Sequence, residues 1–489
     1  ATISDGNSGN NYSITYADNT ASTINKATVS LSAAKTYDGT TNLGAGTVTI
    51  ITGVGLETLT YTGAIANNAN VAAASKYISA ITLSDATDSS GGLTSNYQLP
   101  TLNAANAPVT ISARALTITA NNDSKTYGTA KTYGAGSTAF TSTGLQNSET
   151  IGSVTITDTN GGGLATANAG GTYALTPSVA TGGTFTTSNY SITYTAGGLT
   201  VNKYTISINA PNVTKVYDGS LAYAASSADL TAMSAGLKNG DTITAATITY
   251  ANKNVSAGDK VVTLDAVTLV NSNNYQVTLV GNSASTITRQ SSVTWVGGAT
   301  GEWFNPANWA LTSNNNVTGV VPDLSNVQAV IIPSGTTVTF NPSARSGLAE
   351  AGTVNITTLT GGSLNLTAGA LSATSVNLID LNTSSGTTFT ASTGLTVAPT
   401  SGTSLTIAGV LAGTGSLTKN GAGSATLSGA NTYTGGTIIN VGILALGASD
   451  AMADVGEINV AGGTLAMGAY NDTVGTVTLS SGSIIGTTG

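Results

Sequence analysis

Chemistry needs groups that exchange protons, attack or ligate, and this sequence is sparing with them. Among 489 residues there is no His and no Cys. That removes His-dependent triads, thiol nucleophiles, disulfides and zinc, haem or iron–sulfur ligation through those side chains. The five glutamates stand at 57, 149, 302, 350 and 457, too scattered to suggest a glycosidase pair. Residues 351–449 offer only Asp380 and Lys419 as charged groups, whereas a polysaccharide-cleaving face needs several acids and bases. Asp85-Ala86-Thr87-Asp88-Ser89-Ser90-Gly91 gathers oxygen ligands without the spacing of a calcium loop and reads as a solvated turn. Lys35, Lys125 and Lys215 each precede a Tyr by two residues, which raises the question of an isopeptide bond to Asn or Asp. Their simpler role is a Lys stem along the Tyr ring, its ammonium discouraging strand pairing at an edge. The sequence thus predicts no enzymatic activity, no cofactor and no metal.

Those lysines belong to a repeat. Lys35-Thr36-Tyr37-Asp38-Gly39, Lys125-Thr126-Tyr127-Gly128 and Lys215-Val216-Tyr217-Asp218-Gly219 recur at about 90 residues, a usual domain size. Each follows a strand of period two: Ala27-Thr28-Val29-Ser30-Leu31, Ala115-Leu116-Thr117-Ile118-Thr119 and Tyr204-Thr205-Ile206-Ser207-Ile208. In this pattern Tyr37 and Tyr217 anchor turns in which Asp38 and Asp218 bond local backbone and Gly39 and Gly219 take positive φ. Tyr127-Gly128 lacks the Asp. A Gly-Leu turn at 55, 144 and 236 and an Asn-Tyr landmark at 96, 189 and 274 complete each unit. Domains are therefore expected at 26–112, 113–201 and 202–289, with joints short enough to stack them. Asn11-Tyr12 repeats the closing landmark, so residues 1–25 read as the end of a fourth unit. A fragment of a longer array is the favoured reading, and a subunit completed by strand addition is the alternative.

All three tryptophans, Trp295, Trp303 and Trp309, fall in a change of texture at 290–345. This segment reads as a connector with a small aromatic core, the alternative being a carbohydrate platform of indole faces. From 346 to 489 charges nearly vanish and short strands alternate with Gly, Ser, Thr and Asn. That pattern predicts a parallel β-helix of about six coils at about 20 to 25 residues each. The whole chain is then all-β: tandem small domains followed by a solenoid. Only 7% of residues are charged, against about a quarter in ordinary soluble proteins. The net charge of −8 disfavours nucleic acid, and scarce charge favours lateral self-association of β-surfaces.

Leu411-Ala412-Gly413-Thr414-Gly415-Ser416-Leu417-Thr418-Lys419-Asn420-Gly421, running on to Gly435-Gly436-Thr437, closely resembles the autotransporter-associated β-strand repeat. The 90-residue units resemble the YDG- and MBG-type domains of bacterial surface proteins of the filamentous haemagglutinin class, and the Trp segment is similar to a module of the same proteins. The resemblance implies an immunoglobulin-like or β-grasp-like fold for the small domains. It also implies a Gram-negative exoprotein, exported with an outer-membrane partner and working outside the cell as a fibre, filament or biofilm adhesin. Self-association and surface glycans are the binding partners this leads one to expect.

Overall fold

The computed structural model describes residues 3–345 and 352–487. Glu350, the expected start of the last region at Ser346, and the terminal Ala1 and Gly489 lie outside the described residues. The chain is nearly all β and forms two bodies, residues 1–204 with 273–275 and residues 205–272 with 276–489.

In the first body, alternation of apolar and hydroxyl residues sets the strands. Arg114–Ala120 buries Leu116, Ile118 and Ala120 and turns Ala115 and Thr117 to solvent. It pairs antiparallel with Phe140–Thr143 and parallel with Tyr190–Thr195. After Asn121 and Asn122 the chain continues as Asp123–Thr126, now in a second sheet and parallel with Gly197–Asn202. First and last strands therefore run side by side through both sheets. Ile151–Thr159 and Tyr173–Gly183 complete the second sheet. The preceding domain repeats the arrangement, with Ser30–Thr36 parallel to Val109–Ser112 and antiparallel to Val48–Ile51. One buried cluster runs through both domains, from Val29 and Ile78 to Ile118 and Leu199. A single residue, Ala113, separates Val109–Ser112 from Arg114–Ala120.

In the second body, Thr214–Val216 again runs parallel with the closing strand Asn282–Thr288. This domain also holds Ser227–Met233, the one helix among the described residues apart from single 3₁₀ turns. Its start is fixed by reciprocal bonds, Asp229 N to Ser226 Oγ at 3.2 Å and Ser226 N to Asp229 Oδ2 at 2.8 Å. The helix is absent from the strand-only expectation, although Ser226-Ser227-Ala228-Asp229, a Ser with an acid three residues on, is its local signal.

A larger sheet starts at Gln290–Trp295 and continues without a break through Val327–Phe340, Val354–Leu366 and Ala370–Thr383 to Val477–Gly486. The Trp segment is therefore the opening of the solenoid, not a separate connector, because Val327–Phe340 pairs with the Trp strand on one side and with the next coil on the other. One parallel column passes through Val330, Leu359, Val376, Leu395, Leu417, Thr437, Ile458 and Val477. Stacking at the usual strand spacing of about 4.8 Å lets small apolar residues fill the interior. From coil to coil Asn382 donates to Asn365 at 3.1 Å and Asn440 to Asn420 at 2.8 Å.

Candidate functional site

The repeated Tyr is not primarily a turn anchor. Its ring leaves its own domain and enters the next. Asp38 Oδ1 does accept Thr40 N at 2.9 Å and Lys35 Nζ at 2.8 Å, and Gly39 has φ 78°. This rigid turn aims Tyr37, 4% exposed, at the domain that follows. There its hydroxyl donates to Glu149 Oε1 at 2.6 Å, while Tyr190 donates to Glu149 Oε2 at 2.5 Å. The two rings meet edge to face at 5.5 Å. Burial first, and then the bond to Glu149, push the Tyr37 hydroxyl up to about 12. A Cβ on Gly39 would lie 2.8 Å from Asn147 Cβ of the facing turn, so close approach as well as positive φ requires glycine there.

Beside each hook lies an Asn clamp. Asn189, fully buried, donates to Asn70 Oδ1 at 2.9 Å and accepts Val71 N at 2.8 Å. Asn274 donates to Asn168 Oδ1 at 2.9 Å and accepts Ala169 N at 2.8 Å, with Tyr127 edge-on to Tyr275 at 5.5 Å. In the second body Asn326 donates to Asn254 Oδ1 at 3.0 Å and accepts Val255 N at 2.9 Å. There Tyr217, 1% exposed, donates to Asp323 Oδ1 at 2.9 Å. Asp323 Oδ2 lies 3.2 Å from Lys253 Nζ, and both side chains are buried. Burial and the neighbouring Asp323 drive the Tyr217 hydroxyl far above the ordinary phenol range. The same two-bond clamp thus recurs three times, and the last is built within the Trp segment without an Asn-Tyr pair.

The other candidate residues have local roles. Lys35 and Lys215 each bind an Asp and two carbonyls of their own turn: Asp38, Thr40 O and Asn42 O, and Asp218, Ser220 O and Ala222 O. Lys125, with no Asp beside Tyr127-Gly128, binds Thr129 O and Leu164 O instead. The ammonium groups are drawn inward, so the expected edge-guarding role is not what they do, and Lys215 faces the Tyr250 ring rather than Tyr217. Trp295, Trp303 and Trp309 are 2%, 0% and 0% exposed and pack edge to face. Each indole N–H is bonded internally, to Gly298 O, Pro322 O and Trp303 O. No indole face is presented to a sugar. Asp85 and Asp88 are occupied by Thr94 and Ser90 of their own loop and by Thr58, just before the strand Thr60–Ala66, and no group of three potential metal ligands occurs among the described residues.

The Asn-Tyr and Gly-Leu landmarks read in the sequence as strand and turn punctuation, which does not reveal Asn70, Glu149, Asn189, Asp323 and Asn326 as partners of the hooks. The available signal was an acid and an Asn-Tyr recurring in step with Lys-x-Tyr.

Replacing Asn189 by Ala removes both clamp bonds and empties the place of a fully buried side chain. Loss of about 2 to 3 kcal/mol is expected in urea unfolding followed by circular dichroism. Asn96→Ala, at the exposed counterpart in the first domain, should stay within about 0.5 kcal/mol of the parent.

Residues 116–200 match the MBG domain of YGX type, residues 200–286 the YDG domain and residues 417–446 the passenger-associated transport repeat. The YGX type accounts for the missing Asp at Tyr127-Gly128. No curated protein and no solved structure matches the chain. In its domain content the chain is similar to autotransporter-passenger-like surface proteins carrying YDG and MBG repeats.

Proposed function

We propose that this chain is a non-enzymatic structural part of a secreted bacterial surface adhesin, built of small β-domains and a β-solenoid and assembled into surface fibres or matrix. The observation that supports it most is the recurrence of one joint. Three clamps with the same two bonds, each beside a buried Tyr hook, are what a protein needs if its domains must resist bending and pulling. The chemistry of the joints is fully consumed in holding domains together, with hydroxyls, carboxylates and amides bonded to one another. The transport-repeat match in the solenoid fits export through an outer-membrane partner of autotransporter type, with folding of the coils outside the cell.

Electron microscopy of material sheared from producing cells, labelled with antibody to this chain, tests the reading. Continuous labelled fibres are the expected result. Isolated, unassembled single chains would overturn the fibre and leave a tethered adhesin, whose ligand surface would have to lie elsewhere than on the buried indoles.

A further inference from the structure

The chain contains one more socket than hooks. In the first domain Tyr97 donates to Glu57 Oε2 at 2.6 Å, reproducing Tyr190 on Glu149 Oε2. Glu149 uses its second oxygen for the incoming Tyr37, whereas Glu57 Oε1 has no protein donor among the described residues. Asn96 occupies the place of Asn189, yet it is exposed, and among the described residues its side chain meets only Ser95 Oγ at 3.4 Å. Leu56 is 92% exposed, while its counterpart Leu145 packs against the core of the first body. Acid, clamp and apolar rim are thus all in place and all uncovered.

We infer that this face is a docking site for the Lys-x-Tyr-Asp-Gly hook of a further repeat domain. The incoming Tyr hydroxyl donates to Glu57 Oε1, the incoming Asn side chain and the amide after it close on Asn96, and the incoming domain covers Leu56. The occupant follows from the chain itself, where the same Asn clamp sits three times beside this hook or its YGX variant. A second copy of the chain is a poor occupant, because Tyr37, Tyr127 and Tyr217 are 4%, 2% and 1% exposed, already seated. Residues 3–25 offer no Lys-x-Tyr hook either. The inference rests on the joint chemistry and holds whether or not fibres form.

The test uses the full chain lengthened by a second copy of residues 26–112 inserted between Asn25 and Lys26, which places a hook before the open socket across a one-residue link like Ala113. Amide hydrogen exchange at Leu56, Glu57, Asn96 and Tyr97 of the original domain should slow by about tenfold or more relative to the unlengthened chain. Glu57→Gln in the original domain, or Tyr37→Ala in the inserted copy, should reverse most of that protection. Protected core amides at Leu31 and Ile111 of the inserted copy establish that it has folded. Unchanged exchange at the four socket positions in such a folded chain overturns the assignment. So does protection that appears in the unlengthened chain as its concentration rises, which would make the face a contact between copies. Absence of fibres in microscopy, with socket protection retained, would sink the fibre proposal alone.

Discussion

Asp323→Ala should be the most damaging single change in the second body, lowering its stability by about 3 to 5 kcal/mol. Asp323 is fully buried and holds three groups at once: the Tyr217 hydroxyl, the Asn326 amide at 2.7 Å and the Lys253 ammonium. Removing the carboxylate strands Lys253, 7% exposed, as an uncompensated buried charge, and that penalty exceeds the loss of the hydrogen bonds. All three tryptophans lie in this body, so urea unfolding read by Trp emission reports it directly. Lys253→Met in the same chain should restore much of the loss, since the stranded charge is then gone. If the double variant is no more stable than Asp323→Ala alone, the ion pair is not what gives Asp323 its weight.

The second large effect is a rise of stability with pH in the solenoid, and it comes from Lys419. This side chain is fully buried in the coil interior. Its ammonium donates to Asn420 O, Gly421 O and Val441 O at 2.9, 2.8 and 3.1 Å, with no carboxylate in an ion pair among the described residues. Desolvation lowers it from the ordinary 10.5 to about 8. Between those values the unfolded chain binds the proton and the folded chain does not, so stability climbs from pH 8 towards pH 10 by up to about 3 kcal/mol, and below pH 8 the full cost of burying the charge is present. The opposite sign then takes over. Burial raises Tyr433 to about 12, so the unfolded chain ionises first and stability falls above pH 10. Urea midpoints measured by Trp emission from pH 7 to 11 should pass through a maximum near pH 10. Lys419→Met should abolish the rising limb, and a parent profile flat from 8 to 10 would contradict the assignment.

The first body should show the falling limb as well. Tyr37 is raised to about 12 by burial and by Glu149, so its contribution is complete below pH 10 and lost between 10 and 12.

What could be read from the sequence was whatever one strand or one turn encodes by itself. Period-two alternation located Arg114–Ala120 and Tyr204–Asn209 because one face of each pairs with a core. The Gly-rich, charge-poor final third implied a solenoid because stacked coils need little else. The joints were illegible for a physical reason: Tyr37 and Glu149, or Asn70 and Asn189, are more than a hundred residues apart and meet only when two domains dock. The Trp segment misled because aromatic density marks both exposed platforms and buried cores, and only burial separates them. Continuity of the sheet from Gln290–Trp295 onwards was likewise hidden, since parallel pairing leaves no turn signal between partners.

In the first body, hook and clamp fix one domain rigidly on the next. Absence of native Cys allows one spin-label pair to be placed cleanly, at Thr49→Cys on strand Val48–Ile51 and Thr176→Cys on strand Tyr173–Gly183, both exposed. Pulsed electron–electron distance measurement on the full chain should give one narrow distribution, which broadens when Tyr37→Ala and Asn189→Ala are added. A broad distribution in the chain with intact hook and clamp would show that the two domains swing freely, and would contradict the account.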